Sequence, residues 1–142
     1  MKTVAQLLQG KPAGVVSVRP DVPVLEALKV LAEKDIGAVL VMDGARLLGI
    51  FTERDYARKV VLKGKSSSAA LVKEVMTSEV MFVTSSQTNE DCMALMTQKH
   101  LRHLPVIDGE QVVGVLSIGD LVKDVISEQQ FMIKQLEQYI HS

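Results

Sequence analysis

Tryptophan is absent from this 142-residue chain, and the few Phe and Tyr residues bring aromatics to only 4%. Any core must therefore be aliphatic. With 47% hydrophobic residues, the chain has material enough for a folded rather than a disordered state. Cysteine is nearly missing too: Cys92 alone cannot form an intramolecular disulfide, so a reducing cytosol is the expected compartment. The formal net charge is -1, so the basic excess that usually marks a nucleic-acid partner is lacking. No apolar run approaches the roughly 18–20 residues that span a bilayer. Residues 1–10 hold one lysine and no long apolar stretch, which makes a poor signal peptide. These absences lead to the expectation of a soluble, cytoplasmic protein with neither a membrane nor a nucleic-acid partner. The length suits one ordinary domain or two small units sharing a core.

What the chain does contain is a repeat. At an offset of 65 residues, Val18 falls on Val83, Val41 on Val106, Asp43-Gly44 on Asp108-Gly109, Gly49 on Gly114 and Asp55 on Asp120. The register needs no gap from residues 16–60 to residues 81–125. Shared Asp-Gly, Gly and Asp punctuation is harder to obtain by chance than shared hydrophobicity, so the copies are taken as true repeats, each too short to bury a face alone.

Each copy has the same grammar. Short β-rich runs occupy 15–18 and 80–83. A helix follows, with Pro23 in its first turn in one copy and Thr88 as its N-cap in the other. Leu28, Leu31 and Ala32, or Met93, Met96 and Thr97, share one helical face. Two strands flank an Asp-Gly turn (38–42 and 47–51; 104–107 and 112–116), a hairpin whose spacing also allows a loop longer than two residues. A closing helix starts after Thr52 and after Ser117. The expected fold class is α+β: two tandem β-α-β-β-α units packed sheet to sheet with pseudo-twofold symmetry, plus a C-terminal helix. The expected division is 1–62 for the first unit with its N-terminal segment, 63–70 for a polar flexible linker, 71–125 for the second unit and 126–142 for an amphipathic helix. Short amphipathic segments, 4–8 and 72–76, are each expected to pack on the other copy. Ile126, Ile133 and Ile140 recur every seven residues, which suits a helix lying back on its own domain or, better, one that forms a dimer.

The sharpest local feature occurs twice: Gly49, two apolar residues, Thr52, two variable residues and Asp55; then Gly114, two apolar residues, Ser117, two variable residues and Asp120. A hydroxyl followed three residues later by an acid at a strand-to-helix junction resembles a capping box. The same geometry suits ligand binding, because a helix N-terminus favours phosphate and a carboxylate can accept from two ribose hydroxyls. The two roles are compatible.

These corners, with the run Arg102-His103-Leu104-Pro105-Val106-Ile107-Asp108 before the second hairpin, resemble the CBS domain family over residues 15–125. The resemblance implies a non-catalytic sensor, a Bateman module of two CBS motifs, that binds adenine nucleotides between its repeats. It implies that Asp55 and Asp120 hold a ribose and that Thr52 and Ser117 help hold ribose or phosphate. Val16, Ser17 and Val18 would clasp an adenine opposite Asp120, with Met81, Phe82 and Val83 doing so opposite Asp55. Arg102 and His103 lie where the family often has phosphate-binding cations, whereas copy one has Gly37 and Ala38 there. Arg54 and Arg58 are the compensating cations nearby. Plain surface charge is the alternative for the three arginines, and a hydrogen-bonded structural role for His103. The room at Gly37 and Ala38 implies unequal sites, with AMP in one and NAD(H) or ATP in the other. A disc-like homodimer and an unidentified protein partner complete the expectation.

Other classes are weaker. A hydrolase has the residue types in Ser117, His103 and Asp120, but there is no Gly-x-Ser-x-Gly elbow, and copy one has Ala38 in place of His103. Cys92 reads as a small buried thiol. His100, His103 and Asp108 match no metal-ligand spacing, and Ile50 follows Gly49 where a phosphate-binding loop needs lysine. A ligand-free dimerisation or interaction module remains as the alternative.

Overall fold

In the computed structural model, which describes residues 2–141, the elements run α1 (Val4–Gln9), β1 (Ser17–Val18), α2 (Val24–Lys34), β2 (Ala38–Asp43), β3 (Arg46–Thr52), α3 (Glu53–Asp55), a π-helical stretch (Tyr56–Val61), α4 (Val72–Val75), α5 (Asn89–Lys99), β4 (His103–Asp108), β5 (Gln111–Ser117) and α6 (Ile118–His141). They form two packed units whose segments interleave. One is residues 14–81; the other joins the segment through Ala13 to the chain from Phe82 onward. The boundaries expected from sequence, 1–62 and 71–125, thus differ from the packing units. The reason is that each short amphipathic segment fills the core of the other copy, as its apolar pattern predicts. Among the described residues no helix is long and apolar enough to cross a membrane.

In the unit of residues 14–81, β2 lies between parallel β1 and antiparallel β3, and its first four residues are buried. Covered on both sides, such a strand reads as a continuous apolar run rather than an alternation. Pro23 occupies the N-cap of α2 and offers no capping side chain. The open amides are satisfied from residues 63–70 instead: Val24 N–H donates to Ala70 O at 2.8 Å and Leu25 N–H to Ser67 O at 2.8 Å. The end of the expected flexible linker is therefore a folded cap, with Ala70 in the core. Val24, Ala27 and Leu31 form the buried face of α2, a small rotation from the expected one: Leu28 is half-buried and Ala32 exposed. In α5 the buried face is Asn89, Cys92 and Met96 rather than Met93, Met96 and Thr97.

Both hairpins close with two-residue loops, Gly44-Ala45 and Gly109-Glu110, tighter than the sequence spacing required. The glycines take φ of 61° and 63°, and a bulge at Leu48 or Val113 absorbs the extra residue. Gly49 is needed for a different reason: a Cβ there would lie 2.7 Å from both Met76 Sδ and Thr77 O. That close approach lets Ile50 and Thr77 exchange backbone hydrogen bonds of 2.9 and 2.8 Å, fastening the segment after α4 to β3.

In the other unit α1 sends Val4 and Leu7 into a core with Cys92, Met96, Leu104, Leu116 and Leu121. Burial pushes the Cys92 thiol up to about 11, with Asp91 adding to the shift, so the sulfur is a packed apolar group. The strand expected at 80–83 shrinks to one parallel bridge, Val83 with Val106. Its counterpart ladder in the first copy uses a bond from Leu40 N–H to Val16 O, and Pro105, which stands at the equivalent position, has no N–H to give. Helix α6 runs unbroken from Ile118, merging the closing helix and the C-terminal helix into one element.

Candidate functional site

Both corners form as capping boxes. Thr52 Oγ1 accepts from Asp55 N–H at 3.1 Å, and Asp55 Oδ2 accepts from Thr52 N–H at 3.0 Å. Ser117 and Asp120 repeat this at 3.2 and 2.8 Å. The next amide is also taken, since Glu53 N–H donates to Gly37 O at 3.1 Å and Ile118 N–H to Arg102 O at 2.8 Å. Local chemistry thus holds the hydroxyl and the acid on the turn. A ligand would meet side-chain acceptors there rather than the row of open amides that a helix start suggests in sequence.

Beyond the shared box the corners part. Asp55 is 6% exposed and both its oxygens are committed. Oδ2 also accepts from Thr52 Oγ1 at 3.1 Å, while Oδ1 accepts from Thr77 Oγ1 at 3.0 Å and sits 3.0 Å from Lys59 Nζ. Lys59 lies one helical turn after Asp55, a spacing legible in sequence; Thr77 comes from the segment clamped on β3 and was not.

Asp120 keeps a quarter of its side chain exposed. Its Oδ2 takes a bond from Lys11 Nζ at 2.7 Å, and the same ammonium donates to Val115 O at 2.7 Å. Among the described residues Oδ1 has no partner. Burial pushes the Asp120 carboxyl up, but the Lys11 and Ser117 hydrogen bonds outweigh it and hold the group below the usual carboxylate range. The difference has a sequence cause. The position matching Lys59 is Asp124, which turns inward to Asn89 Nδ2 at 2.9 Å and to Lys2 Nζ at 3.2 Å. The cation for Asp120 must therefore come from the segment after α1.

The other expected site residues fall into two groups. His103 stands directly across the ladder from Ser117, as Ala38 does from Thr52, and Arg102 is exposed beside it. Val16 and Val18 are half-buried and Ser17 exposed, on the edge beside β2. Met81 and Phe82 are 39% and 50% exposed. Val83 differs from them: its side chain is fully buried, its N–H donates to Pro105 O and its C=O accepts from Ile107 N–H, so it belongs to the core. Arg54 and Arg58 occupy exposed positions after the first corner. Gly37 borders a groove of about 420 Å³ with Leu28, Leu31, Ala32, Ile36 and Tyr56, but its charged lining is Asp35 and Glu53. Room is present beside Gly37, as the small side chain implied, yet two carboxylates make it unsuitable for phosphate.

A sequence model of the CBS domain matches residues 12–62 and 72–127. A solved CBS-domain protein from Burkholderia ambifaria MC40-6 is 53% identical, covers 90% of this chain and 96% of its own, and superposes with a TM-score of 0.87. The mitochondrial CBS domain-containing protein CBSX3 of Arabidopsis thaliana is 36% identical over 125 residues; the match covers 84% of this chain and 61% of that protein's length. The CBS domain pair of MJ0100, solved with 5′-methylthioadenosine and S-adenosyl-L-methionine, matches with a TM-score of 0.78 at 22% identity over 90% of this chain and 98% of its own, a likeness of fold.

Proposed function

Because the chain belongs to the CBS-domain family and carries two of these domains in tandem, we propose that it is a non-catalytic regulatory module whose ligand contains adenosine, with AMP the first candidate and NAD(H) or ATP the alternatives. The observation that carries this reading is the Ser117–Asp120 corner. Its carboxylate has one oxygen anchored by Ser117 and Lys11 and the other unclaimed, with Arg102 and His103 on the adjoining strand start. A ribose diol needs a fixed anionic acceptor, and a phosphate needs cations close by. Lys11 uses two of its three donors within the protein, which leaves one for a phosphate oxygen. The fold of the MJ0100 pair admits adenosine-containing molecules, in keeping with this ligand class.

Ligand occupancy then biases the conformational equilibrium of the module, which pairs with a second copy and is sensed by a protein partner. A thermal-shift panel of AMP, ADP, ATP, NAD(H) and S-adenosylmethionine tests the ligand. At a hundredfold excess over Kd, a ligand bound only by the native state adds about 2.7 kcal/mol of stability. If none of the five raises Tm, the nucleotide reading fails. A ligand-free dimerisation module would then stand, a reading the fully committed Asp55 carboxylate favours.

A further inference from the structure

Helix α6 carries two different apolar faces. Its early turns bury Leu121 and seat Asp124 against Asn89, sealing its own unit. On a heptad frame with Ile126 at position a, these two residues fall at c and f, opposite the a/d seam. The seam is Val122, Ile126, Gln129, Ile133, Leu136 and Ile140, and its five apolar members are 45% to 74% exposed. From Ile126 to His141 every residue except Glu128 is exposed. A helix of that length is marginal in water without packing on an amphipathic face. Together with Met132 the seam offers on the order of 600 Å² of apolar surface, the upper end of what one monomer usually leaves open. Covered on two chains, it reaches about 1,200 Å², the lower limit of a stable specific interface.

We infer that α6 pairs with α6 of a second copy as a parallel two-stranded coiled coil. The occupant is a second copy because a seam with a 3.5-residue period is complementary to itself, and because no seam residue is charged. All three a positions are isoleucine, the β-branched choice that favours two parallel strands. Parallel pairing also sets Gln129 against Gln129, where each amide can donate to and accept from the other; antiparallel pairing sets it against isoleucine.

This inference rests on the homodimer part of the preceding reading, and sedimentation of the full-length chain separates the two. The parent should sediment as a dimer at micromolar concentration, and Ile133→Asp/Leu136→Asp as a monomer with an unchanged thermal midpoint at high dilution. Gln129→Cys should give a disulfide-linked dimer under mild oxidation, with the parent as control for Cys92. A monomeric parent would overturn the homodimer itself. A dimeric double variant would overturn only the α6 seam, and a dimer in which Gln129→Cys fails to cross-link would overturn the parallel register.

Discussion

The Asp55 and Asp120 corners share a sequence pattern, a capping box and a place in the repeat, yet they are wired differently. Asp55 is saturated by Thr52, Thr77 and Lys59, all within its own unit, and has become part of the core's polar fastening. Asp120 leans on Lys11 through one oxygen and leaves the other open. The two copies therefore keep one frame while long-range neighbours wire it differently: one carboxylate is wholly taken up in holding structure, and the other keeps an oxygen open.

The largest expected effect follows from that division. Asp55→Ala removes a buried carboxylate that accepts from Thr52 and Thr77, leaves the Thr77 hydroxyl without its acceptor, and should cost about 2–3 kcal/mol, seen as a lower urea midpoint; the half-exposed Lys59 can turn to water and adds little. Asp120→Ala should cost less than about 1 kcal/mol, since its pair is partly exposed, but should raise the Kd for AMP roughly tenfold to a hundredfold by removing a charged acceptor. Equal effects of the two variants on stability and on affinity would erase the distinction between the corners.

The glycines ahead of the corners extend the comparison. Gly49→Ala drives a methyl against the Thr77 carbonyl, which is backbone and fixed, and should cost about 2 kcal/mol. Gly114→Ala meets only the far end of Leu8, at 2.7 Å, and should cost about 1 kcal/mol because that side chain can turn aside. Equilibrium denaturation of the pair decides it, and the reverse order would mean that α1 is held more rigidly than the segment after α4. Next in size, Lys11→Met should weaken AMP about threefold and leave adenosine unchanged, as isothermal titration would reveal. If both ligands weaken alike, Lys11 acts on Asp120 and not on phosphate.

The smallest effect is a pH dependence. The folded-state pKa of Asp120 is depressed, so its ionised form contributes stability above the unfolded-state value near 4 and loses it as pH falls through the folded value. The advantage of the parent over Asp120→Asn should thus be full at pH 6 and shrink below about pH 4. Stability curves for the two proteins from pH 6 to pH 3 that stay parallel would contradict the depressed value.

Much of this was legible in sequence wherever the signal was local. The repeat showed as a direct self-match at one offset, and the Asp-Gly turns, the Thr88 cap and both hydroxyl–acid corners rest on neighbours within a few residues. The Lys59–Asp55 pair was legible in principle at its i,i+4 spacing. What sequence hid were contacts between distant segments. Lys11 reaches Asp120 across 109 positions, and Thr77 reaches Asp55 across 22. The missing strand at 80–83 turned on a single absent N–H at Pro105, a proline that fits the strand pattern and speaks only when its partner is known.

The crossing of α1 into the unit that begins at Phe82 has a consequence for how the protein comes into being. The α1 segment has no core to join until the second repeat, from Phe82 through Leu121, has followed. Its closure spans a long loop, which slows pairing far more than it weakens the finished state. During synthesis the residue 14–81 unit can complete itself, while the segment bearing Lys11 waits, so the Asp120 corner acquires its cation only after the second repeat has been made.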